Sequence, residues 1–477
     1  MVEPLLAVVA VVCALGVFAW VGVRARGSQG SVEDYMVARG SQRAGALGLS
    51  FLASGMGAWI LFAAPEVGAF VGLVAVVGYA LGACAPIVGF ALLGPRLRAI
   101  VPAGHSLTEF VRLRYGRVFH GYVVGVSVAY MALFVTAELT AVGAITAILS
   151  GADARVAVLA VAGVTLAYTA YGGLRASLRT DCWQAWLMLG LLAVAGGAIV
   201  FAVPAPGVAL TTSGLLGVDR IGVEAAITLV LAVTAANLFH QGYWQRVWSA
   251  RDPGALRRGA VLGAVLTVPV MVAVGALGIL AAGAGVALGD PPVPFFALLA
   301  GLPAWVALVV LVLGVSLVAS SVDTLENGLA ALVAAERPSL SLRGARLVTV
   351  VVMIPAVVVA LQNYSVLRLF LIADLLCATA VVPALLGLWR RATPAAALAG
   401  GVAGLVGAVA PGLASQGALL DGLRLATFPD AVPTLQPFLG ALLASTVVAI
   451  GVSLASRSEA DLTSLHEQVP SLDDVRR

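Results

Sequence analysis

Apolar residues run along this chain in long blocks, separated by short polar stretches and by glycine and proline. Blocks long enough to span a bilayer fall near 4–23, 45–66, 70–94, 119–149, 155–171, 181–203, 223–248, 259–287, 303–335, 347–362, 366–389, 395–412 and 437–456. A spanning helix needs about 20 such residues, so the pattern predicts an all-α polytopic membrane protein with about 13 transmembrane helices. Blocks such as 119–149 and 303–335 exceed one span and are expected to tilt or to extend past the bilayer. Two blocks are interrupted at mid-depth. The second carries Ala53-Ser54-Gly55-Met56-Gly57, and the seventh carries Asn237-Leu238-Phe239-His240-Gln241-Gly242-Tyr243. A single glycine in a spanning helix is explained by close helix packing. Paired interruptions in corresponding halves of the chain point instead to an inverted-repeat transporter with its site at the breaks. Unwound backbone there offers carbonyls to a cation and amides to a substrate.

Composition supports the membrane reading. Of the 477 residues 61% are hydrophobic and 10% are charged, with a mean hydropathy of +1.05, against about 25% charged in soluble domains. The net charge of +4 is therefore no sign of nucleic-acid binding, because basic residues in such a chain report orientation. All are arginines. With the N-terminus outside, 23 of the 27 fall on inner loops and inner helix ends, Arg246 among them, and only Arg155, Arg220, Arg368 and Arg424 fall outside. No positive charge precedes the first apolar block, so it reads as a retained helix rather than a signal peptide. The tail after Ser456 reads as polar and cytoplasmic, and the outer connection 413–436 has room for a short helix. Cys13, Cys84, Cys182 and Cys377 lack metal-ligand spacing and read as small core residues. No nucleophile–base pair of familiar spacing is present, so an enzyme is not expected.

The ninth block carries the sharpest chemistry. Ser320, Asp323 and Thr324 share one helix face by their i, i+3, i+4 spacing. Asn327 extends that face, and Ser321 lies to its side. Serine and threonine alone are explained by bonds to carbonyls one turn back. A carboxylate in mid-membrane needs a partner or a cation, and hydroxyls with a carboxylate suit a small hard cation. Glu326 reads as close enough to the inner end to be solvated. A second centre is Tyr171-Gly172-Gly173-Leu174-Arg175-Ala176-Ser177-Leu178-Arg179-Thr180-Asp181. Its Gly-Gly pair reads as a turn at the inner face and Thr180-Asp181 as the opening of the sixth helix. Asp181 then serves either as a helix cap or as part of an oxygen cage with the ninth helix. His240 reads as a buried, hydrogen-bonded histidine.

Tyr171-Gly-Gly-Leu-Arg-Ala176 followed by Thr180-Asp181-Cys-Trp-Gln184 resembles the signature segment of the sodium:solute symporter family, which includes sodium/proline, sodium/glucose, sodium/sialic acid and urea transporters. Leu49-Ser50-Phe-Leu-Ala53-Ser54-Gly-Met56 resembles its first core helix and Ser320-Ser321 the hydroxyl pair of its eighth. Tyr243-Trp244-Gln245-Arg246 and Gly387-Leu-Trp-Arg390-Arg-Ala-Thr-Pro394 also fit, so the resemblance spans nearly the whole chain. It implies a five-plus-five inverted-repeat (LeuT-like) core: an N-terminal helix and loop over 1–44, repeats over 45–222 and 223–393, two further helices over 394–456, and a tail over 457–477.

By that resemblance the main sodium ion would be held by the carbonyls of Ala53, Met56 and Leu317 and the hydroxyls of Ser320 and Ser321. The implied geometry turns both serines toward the second block. A second cation, or its exit path, would use Asp181, Asp323 and Thr324. The chain departs from the family in having Asp323 where such members carry a hydroxyl, and Gly55 where the sodium/proline branch carries an aspartate. Ser54, Gly57, Trp59, Glu138, Asn237, Gln241, Trp244 and Asp374 are the substrate candidates. For Trp59 and Trp244 the structural alternative is packing or a place at the lipid interface. The expected function is sodium-coupled symport of a small polar organic solute by alternating access, in the cell membrane, with the C-terminus cytoplasmic. The expected partners are the solute, sodium and the lipid bilayer, with no nucleic acid and no obligate protein partner. Proton coupling, a urea-type transporter of the same fold, and a non-transporting sensor remain as alternatives. The short tail without a catalytic domain counts against the sensor.

Overall fold

The computed structural model describes residues 2–25, 32–336, 341–362, 366–428, 434–456, 458–463 and 465. Most of the tail read as cytoplasmic, and Arg26, Arg337, Arg457, Arg476 and Arg477 of the orientation tally, lie outside them. The first half comprises α1 (Pro4–Arg24), α2 (Val32–Val37), α3 (Ala44–Gly55), α4 (Ala63–Phe70), α5 (Leu73–Ile100), α6 (Leu107–Tyr115), α7 (Arg117–Ser150), α8 (Ala154–Ala202) and α9 (Pro206–Thr212). The second comprises α10 (Arg220–Asn237), α11 (Gln241–Ser249), α12 (Pro253–Gly283), α13 (Pro294–Ala297), α14 (Ala304–Glu336), α15 (Leu342–Ala360), α16 (Val366–Leu385), α17 (Pro394–Gln416), α18 (Leu419–Ala426) and α19 (Leu435–Ala455).

Among the described residues ten helices are long and apolar enough to cross a membrane, and the bent pair Ala44–Gly55 and Ala58–Phe70 makes an eleventh. α8 has 49 residues, about 73 Å at 1.5 Å per residue, more than twice a bilayer core. It breaks at Gly173, whose φ of 60° no ordinary helical residue adopts, and a side chain there would run into the carbonyl of Tyr35. The two arms of α8 are the fifth and sixth spans, and α15 completes the thirteen the sequence pattern predicts. One expectation needs correcting. The sixth helix opens just after Gly173, so Asp181 sits two turns inside it and caps nothing. The outer connection does hold a short helix, α18.

α14 lies at the centre. From Leu313 to Leu332 nearly every residue is buried, as a helix enclosed on all sides must be; it packs on α8, α7, α15, α1, α11 and α3. That enclosure also buries Glu326 completely, against the expectation that it is solvated. α3 is held beside α12 by small residues. Gly48 meets Gly259 and Gly263 so closely that a Cβ at Gly48 would stand 2.9 Å from the Gly259 carbonyl, the close approach that drives helix association in lipid. α17 and α19 pack against each other at the periphery.

Candidate functional site

The site begins at the break in the second span. α3 stops at Gly55 because Met56 (φ −102°, ψ 86°) and Gly57 (φ −84°, ψ 179°) leave helical space. The chain resumes as a single 3-10 turn, Ala58–Leu61, and then α4, with the axis bent by 57°. The Met56 N–H closes the last turn on Leu52, and no backbone N–H among the described residues reaches the carbonyls of Ala53 to Met56. The amide end across the break is occupied: the Ala58 N–H donates to Glu138 Oε2 at 2.9 Å. Gly57 makes room for that carboxylate, since a Cβ on it would lie 1.7 Å from Glu138 Oε1. The second break falls between Asn237, where α10 ends, and Gln241, where α11 begins.

Beneath these breaks α3, α8, α11 and α14 share a buried polar network. Asp181 accepts from Ser50, from Ser320 at 2.7 Å and from Arg246 Nη2 at 2.7 Å. Arg246 and Asp181 are both fully buried. The guanidinium also donates to Ser50 Oγ at 2.7 Å, the Gly242 carbonyl at 2.7 Å and Thr324 Oγ1 at 3.0 Å. Arg246, counted among the inner helix ends, is thus no orientation marker; it neutralises Asp181 in the bundle interior. Asp323 is served from both arms of α8, by Tyr168 and Ser177 at 2.6 Å each and Thr180 at 3.1 Å. Glu326 accepts from Thr165 at 3.0 Å.

The residues read as a second cation site, Asp181, Asp323 and Thr324, therefore do converge, but with a guanidinium among them. Of the hydroxyl pair, Ser320 faces Asp181 rather than α3. Ser321 is buried with no hydrogen-bond partner for its Oγ, an unmet oxygen on a helix that packs against α3 and the 3-10 turn. A sodium ion suits those donor types: an orphaned hydroxyl on α14, and carbonyls at the end of α3 that no backbone N–H reaches among the described residues. Leu317, the remaining member of that set, is buried on the same helix.

Trp59, Asn237 and Asp374 line a central cavity together with Gly55, Met56, Tyr79, Tyr130, Phe134, Tyr243, Thr267 and Phe370. The other substrate candidates lie elsewhere. Gln241 donates to the His105 carbonyl at 2.7 Å, and Trp244 Nε1 to the Leu238 carbonyl at 2.7 Å, its ring edge-on to Phe90. Both sit on the half-helix that leads away from the break, so depth alone misplaced them. The Ser54 hydroxyl bonds back to the Ser50 carbonyl. His240 is buried and stacked on Tyr243, ring centroids 4.2 Å apart, with neither nitrogen hydrogen-bonded, which corrects the hydrogen-bonded reading. Gln184 is also buried with both amide atoms unpartnered.

Sequence reasoning missed a latch at the arginine-rich end. His105 Nε2 meets Glu33 at 2.7 Å and Nδ1 meets Glu109 at 3.0 Å. Arg39 pairs with Glu33 and donates to the carbonyls of Pro102, Ala103 and Gly104. Gln241 and Gln245 of α11 bond to the carbonyls of His105 and Met36. The segment Ser106-Leu107-Thr108-Glu109 forms a capping box on α6, a pattern visible in the sequence. Burial disfavours the imidazolium, but Glu109 and Glu33 outweigh it and hold His105 up at about 9. Burial likewise raises Glu33, but His105 and Arg39 pull it down to about 2. Stabilisation through the raised His105 is complete below its unfolded value near 6.5 and is lost as pH rises through 9. Stabilisation through the lowered Glu33 is present above its unfolded value near 4.5 and is lost as pH falls through 2. The melting temperature should therefore fall between pH 6.5 and 9 by an amount corresponding to on the order of 2–3 kcal/mol. In His105→Gln that slope should flatten; an unchanged slope rules the latch out as its source.

No protein-family model matches the chain. It is 30% identical over 174 residues to the high-affinity proline transporter PutP of Bacillus subtilis, covering 34% of this chain and 36% of that one. It is 32% identical over 103 residues to the urea active transporter of Saccharomyces cerevisiae, covering 22% and 14%. Among solved structures it matches a Na+-coupled sialic acid symporter in a substrate-bound outward-open state, with a TM-score of 0.77 at 16% identity over 95% of this chain and 98% of that one. It also matches the nucleobase-cation-symport transporter Mhp1 in a closed conformation, with a TM-score of 0.55 at 15% identity over 91% and 98%. These matches show the five-plus-five broken-helix fold. The chain is also 31% identical over 364 residues to the spermidine transporter DUR31 of Candida albicans, covering 75% of this chain and 70% of that one. Likeness on that scale turns the resemblance of the Tyr171–Gln184 segment into membership: the protein belongs to the sodium:solute symporter family.

Proposed function

We propose that the protein carries a small polar organic solute across the cell membrane together with sodium, by alternating access, with the arginine-rich end cytoplasmic. The observation that supports sodium coupling best is Ser321, buried and without a partner, on a helix that packs against α3, whose last carbonyls no backbone N–H reaches among the described residues. A sodium ion there would take the Ser321 hydroxyl and the carbonyls of Ala53, Met56 and Leu317, and the Ser321 hydroxyl and α3 carbonyls otherwise carry a desolvation cost. Binding would tie α14 to the break in the second span, next to the cavity, and so couple the ion to the solute. The Asp181–Arg246 pair and the Glu33–His105–Glu109 latch close the opposite side, so an inward path requires both to part.

Relatives named for spermidine, urea and proline do not choose a substrate. In liposomes, Ser321→Ala should raise the sodium concentration for half-maximal uptake by about tenfold, the loss of one ligand worth ~1.4 kcal/mol. Equal uptake with potassium in place of sodium would overturn sodium coupling.

A further inference from the structure

The central cavity has walls of one electrostatic character. Its one ionisable carboxylate is Asp374, 6% exposed, in mid-helix on α16. No hydrogen bond or ion pair reaches its carboxylate among the described residues. Around it runs a connected belt of rings: Tyr79 to Trp59 at 5.2 Å, Trp59 to Phe370 at 6.0 Å, Phe370 to Phe134 at 4.8 Å, and Phe134 to Tyr130 at 5.8 Å between centroids. No basic side chain lines the cavity among the described residues.

The helix ends tell the same story. α3 and α10 both bring their C-terminal ends to the cavity, at Gly55–Met56 and at Asn237, and a helix C-terminus carries partial negative charge. The amide end at Ala58, where a half-helix would receive a substrate's carboxylate, is filled by the chain's own Glu138 at 2.9 Å. An anion entering the cavity would meet Asp374, carbonyl ends and π faces, and would find that amide position taken. A cation would meet a counter-ion and aromatic faces, the arrangement that holds organic ammonium groups.

We propose that the solute is an organic ammonium ion, bound with Asp374 as its counter-ion and the Trp59–Phe370–Phe134 belt around its cationic head. The assignment rests on the cavity being the solute's site in the symport cycle. It is tested with two shape-matched trios: butylammonium, butanol and butyrate; and putrescine, butanediol and succinate. Binding is read by thermal shift of the purified protein, and transport by sodium-driven uptake in liposomes. The ammonium members should stabilise the protein where the neutral and anionic members do not. Asp374→Asn should weaken ammonium binding about tenfold or more, and Asp374→Glu, which restores the charge, should recover most of it.

Equal or tighter binding of a neutral or anionic member, unaltered ammonium affinity in Asp374→Asn, or no ammonium binding at all overturns the proposal. The two readings fail separately. Sodium-driven uptake of a neutral or anionic member without ammonium binding leaves symport standing and removes the cation. Ammonium binding that depends on Asp374 but drives no flux leaves the cation site standing and removes symport.

Discussion

Arg246→Ala should cost about 3–5 kcal/mol of stability, the range for removing one partner of a buried ion pair, and should abolish sodium-driven transport. The argument is one of charge in hydrocarbon. Asp181, Asp323 and Glu326 are all fully buried, and among the described residues the Arg246 guanidinium is the cation paired with any of them, with four donations to Asp181, Ser50, Thr324 and the Gly242 carbonyl. Alanine would leave Asp181 with hydroxyl donors alone beside two more carboxylates. Lysine would keep the charge but not the planar fork that serves several acceptors at once, so Arg246→Lys should fall between wild type and alanine. The cycle is completed by Asp181→Leu and the double variant Arg246→Met/Asp181→Leu. Because an apolar pair of similar volume is often no worse than a buried ion pair, the double variant should recover most of the melting temperature while staying inactive. Wild-type stability in Arg246→Ala would show that the pair is not what holds α11 against α8 and α14.

That arginine also shows where reading the chain in one dimension stopped working. The thirteen spans were legible because each must place about 20 apolar residues in a row, and the breaks at Gly55–Gly57 and Asn237–Gly242 because glycine and amide side chains are costly there. Partnership was not legible. The arginine tally assigns charge by position along the chain, whereas α11 is a nine-residue half-helix that carries Arg246 back into the bundle. The signal was nonetheless present, since Arg246 falls inside the apolar block 223–248, where an ionisable residue is a functional candidate by default. Glu326 was misplaced for a related reason. Distance from a helix end says nothing of the neighbours, and the α8 arm carrying Thr165 covers it. Cavity lining was legible for Trp59, Asn237 and Asp374. It failed for Gln241 and Trp244 because depth in the membrane does not tell which way a half-helix turns its side chains.

Gly57→Ala should damage the break in the second span and both sites beside it. The new Cβ would start 1.7 Å from Glu138 Oε1, so either the carboxylate leaves or the break reshapes. If Glu138 leaves, the Ala58 N–H loses a charge-assisted bond worth about 1.5–3 kcal/mol, and a buried carboxylate is left without that donor. If the break reshapes, overpacking costs typically 1–3 kcal/mol and the carbonyl end of α3 shifts with it. Both outcomes disturb the sodium ligands and the cavity wall together, so half-maximal sodium and solute concentrations should rise in parallel. A purely local packing defect would lower stability and leave both unchanged. The coupling to Glu138 is separable by a double-mutant cycle. Glu138→Ala removes the colliding atoms, so the two substitutions together should cost less than the sum of each alone by at least about 1 kcal/mol. Additive melting-temperature losses would mean that Gly57 and Glu138 act independently, and that the amide end of the break is not held by the chain's own carboxylate.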